Sequence, residues 1–249
     1  MPLEQQLVNL KSIASYFEEA DSTTYFSALE RGLGPGYGLI EAKVLHAMVR
    51  HLKPDRVLEV GGGVSSACIA EALRRNGKPA THIVVEPYPS AALNKLEGLQ
   101  LVKKKVHLVG LEPFLSLGPE DFLFVDSSHT VKPGSDTNYI ILEALPRLSP
   151  GVTIHLHDIN FPYDYRPDLL DTLYQWGETS LLHAFLIGNR NVQVLFSLSH
   201  IHHEAPAELK RLIPEYNPMP TKDGLCLDSN SRLYTHEYHL PTSIYLKSA

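Results

Sequence analysis

Basic charge, cysteine and long apolar runs are all scarce in this 249-residue chain. Lys and Arg number 22 against 28 Asp and Glu, a formal net charge of −6. No cationic field is therefore available to hold a phosphate backbone, which argues against a nucleic-acid partner. The two cysteines are Cys68, in an apolar helical pattern, and Cys226, in a polar stretch. They make no disulfide framework and suit a reducing, cytoplasmic setting. No apolar run reaches bilayer-spanning length, so no membrane partner is expected. The opening MPLEQQLVNLKSIASYFEEA mixes charges with apolar residues at helical spacing, unlike a signal peptide. A small-molecule substrate is the default these absences leave, with a homo-oligomer open. Hydrophobic residues, at 43%, suffice for a sizeable core.

Residues from about Leu3 to Glu30 read as two short amphipathic helices with Asp21-Ser22-Thr23 as a cap between them. Gly32 to Gly38, GLGPGYG, reads as a loop, and residues 1–38 together as a helical cap on a main domain of residues 39–249. The main domain opens with LIEAKVLHAMVRHL, whose Leu39, Ala42, Leu45, Met48, Val49 and Leu52 share one helical face. From Arg56, short apolar runs alternate with helical stretches: RVLEV, a helix to about Asn76, THIVVEP, KVHLVG and DFLFVDSS. A helix over about Ser135 to Leu148, the run VTIHLHD, a helix over about Leu169 to Leu186 and the runs NVQVLFSL and TSIYLK complete the series. This order predicts a doubly wound, mostly parallel α/β sheet with helices on both faces. Right-handed crossovers put the loops after the strands on one edge, which collects Gly61 to Ser66, Glu86, Asp126 to His129 and His157 to Asn160. Residues from about Ile213 to His239 are polar and without period, and read as a long loop or lid.

The Gly61-Gly62-Gly63 turn between strand and helix brings backbone N–H groups close to a ligand. Two ligand classes use such a turn. A dinucleotide wants G-x-G-x-x-G, and the third position here is Ser66. S-adenosylmethionine is the alternative. Glu59, two residues before the first glycine, could then hold the ammonium group, and Glu86, ending the next strand, both ribose hydroxyls.

The ordered set EVGGGVSS (Glu59 to Ser66), VVEP (Val84 to Pro87), FVDSSH (Phe124 to His129), LPRLSPG (Leu145 to Gly151) and HLHDI (His155 to Ile159) resembles the class I S-adenosylmethionine-dependent methyltransferases. The likeness is nearest to a bacterial small-molecule branch with Asp-x-x-His and a later His-Asp, including metal-dependent sugar O-methyltransferases. It implies a Rossmann-like seven-stranded sheet with a final antiparallel strand. It also implies methyl transfer to a hydroxyl oxygen of a sugar or secondary metabolite, as in natural-product biosynthesis. The cofactor set carried by the resemblance is Glu59, Gly61, Gly62, Gly63, Ser65, Ser66, Glu86, Pro87, Asp126 and Ser127.

A sulfonium is already an activated electrophile, so what remains is alignment and loss of the acceptor's proton. His129 is the expected general base, with Asp126 and Asp158 as catalytic partners. Asp126, His157 and Asp158 are also candidate ligands for a divalent cation such as Mg, Mn or Fe. His157 stands where the resembled enzymes carry an acid, so a metal-free site in which Asp126 contacts substrate stands beside the metal reading. Catechol-type relatives place a lysine at the position of His129 and an Asp-Asn pair near Asp158, where this chain has Asp158-Ile159-Asn160. An NAD-dependent oxidoreductase and an N-methyltransferase on the same fold are the alternatives. His200, His202 and His203 lack an acidic or cysteine partner at metal spacing and read as structural. Asp136, Asp164, Asp168 and Asp171 read as surface or capping acids; Trp176, Tyr163 and Tyr165 could stack on a substrate, although a Trp in a helical pattern is more often core or interface.

Overall fold

The computed structural model describes residues 2–20, 22–34, 36–165, 169, 173–218 and 238–249. Seven strands form one sheet: β1 Arg56–Val60, β2 Thr81–Val85, β3 Gln100–Val102, β4 Phe122–Val125, β5 Thr153–Leu156, β6 Val192–Ser197 and β7 Ile244–Ser248. Their spatial order is β3-β2-β1-β4-β5-β7-β6. The pairs among β1 to β5 are parallel, and β7 runs antiparallel to both β5 and β6. The expected doubly wound sheet with a reversed last strand is therefore present.

Alternation along the central strands divides the core between two faces. Val57, Phe122 and Phe124 turn toward α3 (Leu39–Leu52) and α4 (Val64–Asn76), whose Val44, Leu45, Ala67 and Ile69 share their cluster. Leu58, Val60, Leu123, Val125, Ile154 and Leu156 turn to the other face and pack with Ile140, Ile141 and Leu182. Glu59 thus points, with Val57, into the face covered by α3 and α4. Residues of the N-terminal segment belong to that same cluster: Leu10 and Ile13 by α1 (Leu3–Ser12), Ala28 in α2 (Ser22–Glu30), and Leu33 and Tyr37 in the loop that follows. The Gln6 side chain of α1 accepts the backbone N–H of Ser197 at 2.9 Å.

Two expected elements differ. The third strand is Gln100–Val102, paired with Ile83 to Val85, whereas Val106–Val109 of the run KVHLVG forms a single helical turn. Val106 and Val109 are also at helical spacing, and Leu108 is exposed, so period alone could not separate the two states. The helix expected over about Leu169 to Leu186 begins only at Glu178. Before it, Trp176 pairs with Thr130 across an isolated bridge and the N–H of Gly177 donates to the carbonyl of His129 at 2.8 Å. The helix over 136–147 is present, with residues Tyr139–Ala144 in π geometry. Most of the polar 213–239 stretch, with Cys226, Asp21, Asp168 and Asp171, lies outside the described residues. Cys68 is buried and free. Among the described residues no helix is long and apolar enough to cross a membrane.

Candidate active site

Register aligns the functional edge. Val60 lies opposite both Val85 and Val125, and Val125 opposite Leu156. Gly61, Glu86, Asp126 and His157 are each the next residue beyond these positions. The parallel ladder continues through them: Gly61 N–H donates to Val85 at 3.0 Å, Asp126 N–H to Val60 at 2.8 Å and His157 N–H to Val125 at 2.9 Å. Four chemistry-bearing positions from four neighbouring strands therefore stand level at the carboxyl ends, where open α/β sheets bind ligands.

Gly61 is held at φ +84°, and a Cβ there would lie 2.0 Å from the carbonyl oxygen of Asp126. Close approach of the chain to itself, not to a ligand alone, dictates this glycine. Two cavities, about 400 and about 270 Å³, meet here; Gly61, Glu86, Asp126 and Ser127 line both. Pro87 and Val85 line the larger, and Gly62, Gly63, Ser65 and Tyr37 the smaller. The Glu86 carboxylate accepts the N–H of Gly62 at 3.3 Å and of Tyr88 at 2.8 Å, which fixes it at the junction.

Glu59 and Ser66 correct the expected cofactor set. The Glu59 side chain is fully buried and already engaged by the Ser65 hydroxyl at 2.7 Å, the Ser66 hydroxyl at 2.9 Å and the His82 ring at 2.7 Å. The alternation that turns it beneath the glycine loop leaves no face for a ligand's ammonium group. Ser66, also buried, accepts the N–H of Gly63 at 3.1 Å. Both residues shape the loop from behind.

Beyond Asp126 the catalytic candidates converge. His129, at φ +56°, directs Nε2 at Asp126 Oδ1 (3.3 Å) and Asp158 Oδ2 (3.5 Å). Its Nδ1 stands 2.7 Å from Glu178 Oε2. His157 Nδ1 faces the same two aspartate oxygens at 3.4 and 3.7 Å, and its Nε2 faces Glu41 Oε2 at 3.4 Å. Four carboxyl groups thus surround two imidazoles. Burial pushes His129 down, but the hydrogen bonds it donates to the Asp126 and Glu178 carboxylates and the charges of Glu178 and Asp158 outweigh it and bring the ring up to about 10. His157 is likewise raised, against its burial, by Asp158, Glu41 and Asp126. Burial also acts upward on Asp126, yet His157 and His129 hold that carboxyl low. Asp158 goes the other way, since its burial exceeds what His157 and His129 return.

Glu41 and Glu178 escaped the sequence reading. Glu178 is buried, accepts the Ser127 hydroxyl at 3.1 Å and opens the helix Glu178–Leu186. An acid just after Gly177 at a helix start was the available signal, obscured because the helix was expected to begin earlier. Asp126, His157 and Asp158 come together as the metal reading requires, but among the described residues no group of three His, Cys, Asp or Glu side chains is arranged to hold a metal ion. His200 contacts Gln6 at 2.9 Å and His202 the Tyr216 hydroxyl at 2.5 Å, consistent with structural roles. Asp136 accepts from the backbone N–H of Ser128.

Residues 58–159 match a family model described as a methyltransferase domain. No curated protein matches the chain. Among solved structures, the O-methyltransferase from Bacillus cereus in complex with SAH is similar at 14% identity and TM-score 0.50, over 94% of this chain and 91% of that one. The SAH-bound Podospora anserina methyltransferase PaMTH1 is similar at 14% identity and TM-score 0.47, over 100% and 89%. The likeness to the Bacillus cereus structure is one of fold.

Proposed function

We propose that this chain, whose residues 58–159 match a methyltransferase-domain model, transfers a methyl group from S-adenosylmethionine to a hydroxyl oxygen of a small secondary metabolite. The observation that carries the reading is the level placement of Gly61, Glu86, Asp126 and His157 around two joined cavities, with His129 immediately beyond. The cofactor lies across both cavities, its ribose hydroxyls on the Glu86 carboxylate and its methionine end along Gly61 to Gly63.

Glu178 holds Nδ1 of His129 and leaves Nε2 to act. In the resting site Nε2 carries a proton shared with Asp126 and Asp158. The form of the site that has lost this proton to solvent is the competent one, and in it His129 Nε2 takes the hydroxyl proton as the acceptor reacts. The oxygen–carbon bond forms as the carbon–sulfur bond breaks, leaving S-adenosylhomocysteine. Because the trio Asp126, His157 and Asp158 does not fit a metal cage, no step runs through a cation. Calorimetric titration tests the reading: S-adenosylhomocysteine binds at one site and NADH does not. Binding of NADH alone would replace the proposal with a dinucleotide oxidoreductase.

A further inference from the structure

A third cavity, about 450 Å³, opens beside the first two and shares Ser128 and Lys132 with the larger. His129 forms its inner end, and its outer wall is Leu173, Tyr174 and Trp176. The Trp176 ring packs on His129 with centroids 4.7 Å apart and continues to Tyr174 at 5.3 Å and Tyr165 at 6.1 Å. Leu173 is 99% and Tyr174 63% exposed, unusual for large apolar groups clustered next to a buried imidazole. Backbone pairing fixes this wall: Trp176 bridges Thr130, and Gly177 N–H donates to His129.

Of the polar residues that line the cavity, Ser128 and Thr130 are engaged within the chain, and Lys132 and Gln175 complete its lining. The Ser128 hydroxyl donates to Asp136 at 2.5 Å, and the Thr130 hydroxyl to the carbonyl of Ser128 at 3.1 Å. A polyol would meet polar groups on one side only and lay its other hydroxyls against the Tyr174 and Trp176 rings, a loss on desolvation. A flat ring meets aromatic faces instead, and gains from offset or tilted stacking.

Resting on the methyl-transfer reading above, we propose that the acceptor is a planar aromatic compound, stacked on Trp176 and Tyr174 so that a ring hydroxyl reaches His129 Nε2. Aromatic acceptors of one or two fused rings fit the volume, within the usual range of small-molecule sites.

Trp176 is the sole tryptophan of the chain, so its emission reports occupancy of this wall directly. With S-adenosylhomocysteine present, 2-naphthol should quench that emission saturably, and methyl glucoside should leave it unchanged. Followed by the emission of 2-naphthol itself, Trp176→Ala should weaken binding about ten-fold, the scale of one aromatic pair. Tyr174→Ala, at an exposed position that tolerates truncation, should weaken it by a smaller factor. The proposal falls if the glycoside saturates and the naphthol does not, or if naphthol affinity is the same in both variants as in the parent. Calorimetry with S-adenosylhomocysteine on the same samples separates the two levels: a protein that binds it but ignores naphthol refutes the acceptor class alone, and one that binds neither refutes the methyl-transfer reading.

Discussion

Replacing Glu178 by Gln keeps the shape of a buried side chain and removes its charge from His129 Nδ1, 2.7 Å away. A hydrogen bond to a charged group contributes about 1.5–3 kcal/mol. That energy enters twice. It holds the imidazolium, so its loss lowers the titration of His129 from about 10 by roughly one to two pH units at 1.36 kcal/mol each. It also stabilises the imidazolium forming as the base takes a proton, so the rate of the competent form falls about 10- to 100-fold. A base must be unprotonated to act, so kcat/KM of the parent rises with pH up to about 10. In Glu178→Gln the rising limb ends earlier and at a lower plateau. Near pH 7 the larger unprotonated fraction offsets the weaker base, and the two enzymes differ little; above pH 9 the variant is slower by the full factor. Release of S-adenosylhomocysteine measured from pH 6 to 10.5 reads both effects. A loss uniform across pH, or an unmoved limb, would refute the role given to Glu178.

Gly61→Ala must place a Cβ 2.0 Å from the Asp126 carbonyl at φ +84°; calorimetry should show S-adenosylhomocysteine affinity down at least about ten-fold, through strain of about 1–3 kcal/mol or more. His202 is driven by burial down to about 3, so folding favours its neutral form. Its stabilising effect is complete above about pH 6.5 and is lost as pH falls toward 3. Urea unfolding should therefore show about 2 kcal/mol lost between pH 7 and pH 5 from this residue, and His202→Gln should flatten that slope. Activity of enzyme dialysed against a chelator should be retained; loss restored by Mg²⁺ or Mn²⁺ would return Asp126, His157 and Asp158 to the role of ligands.

The sheet was legible because buried parallel strands carry continuous apolar runs, as in FLFV of β4. Short apolar runs are ambiguous, and KVHLVG misled because it holds too few residues for its apolar period to separate one helical turn from a strand. The level edge of Gly61, Glu86, Asp126 and His157 could be anticipated from strand ends alone. Glu59 could not be placed by its spacing to the glycines; alternation within β1 decided it, turning the carboxylate toward His82 and the serines. Glu178 and Glu41 reach the site from helices distant in sequence, and only tertiary packing brings them to His129 and His157. Trp176 reads as core in a helical pattern, yet it stands on the active-site rim because backbone pairing with Thr130 displaces the helix start.

A crystal structure of the complex with S-adenosylhomocysteine addresses the main assignment most directly. The predicted density has both ribose oxygens on the Glu86 carboxylate, the amino-acid end along Gly61 to Gly63, and the sulfur facing His129. A nucleoside bound away from Glu86, or a sulfur turned from His129, would contradict it.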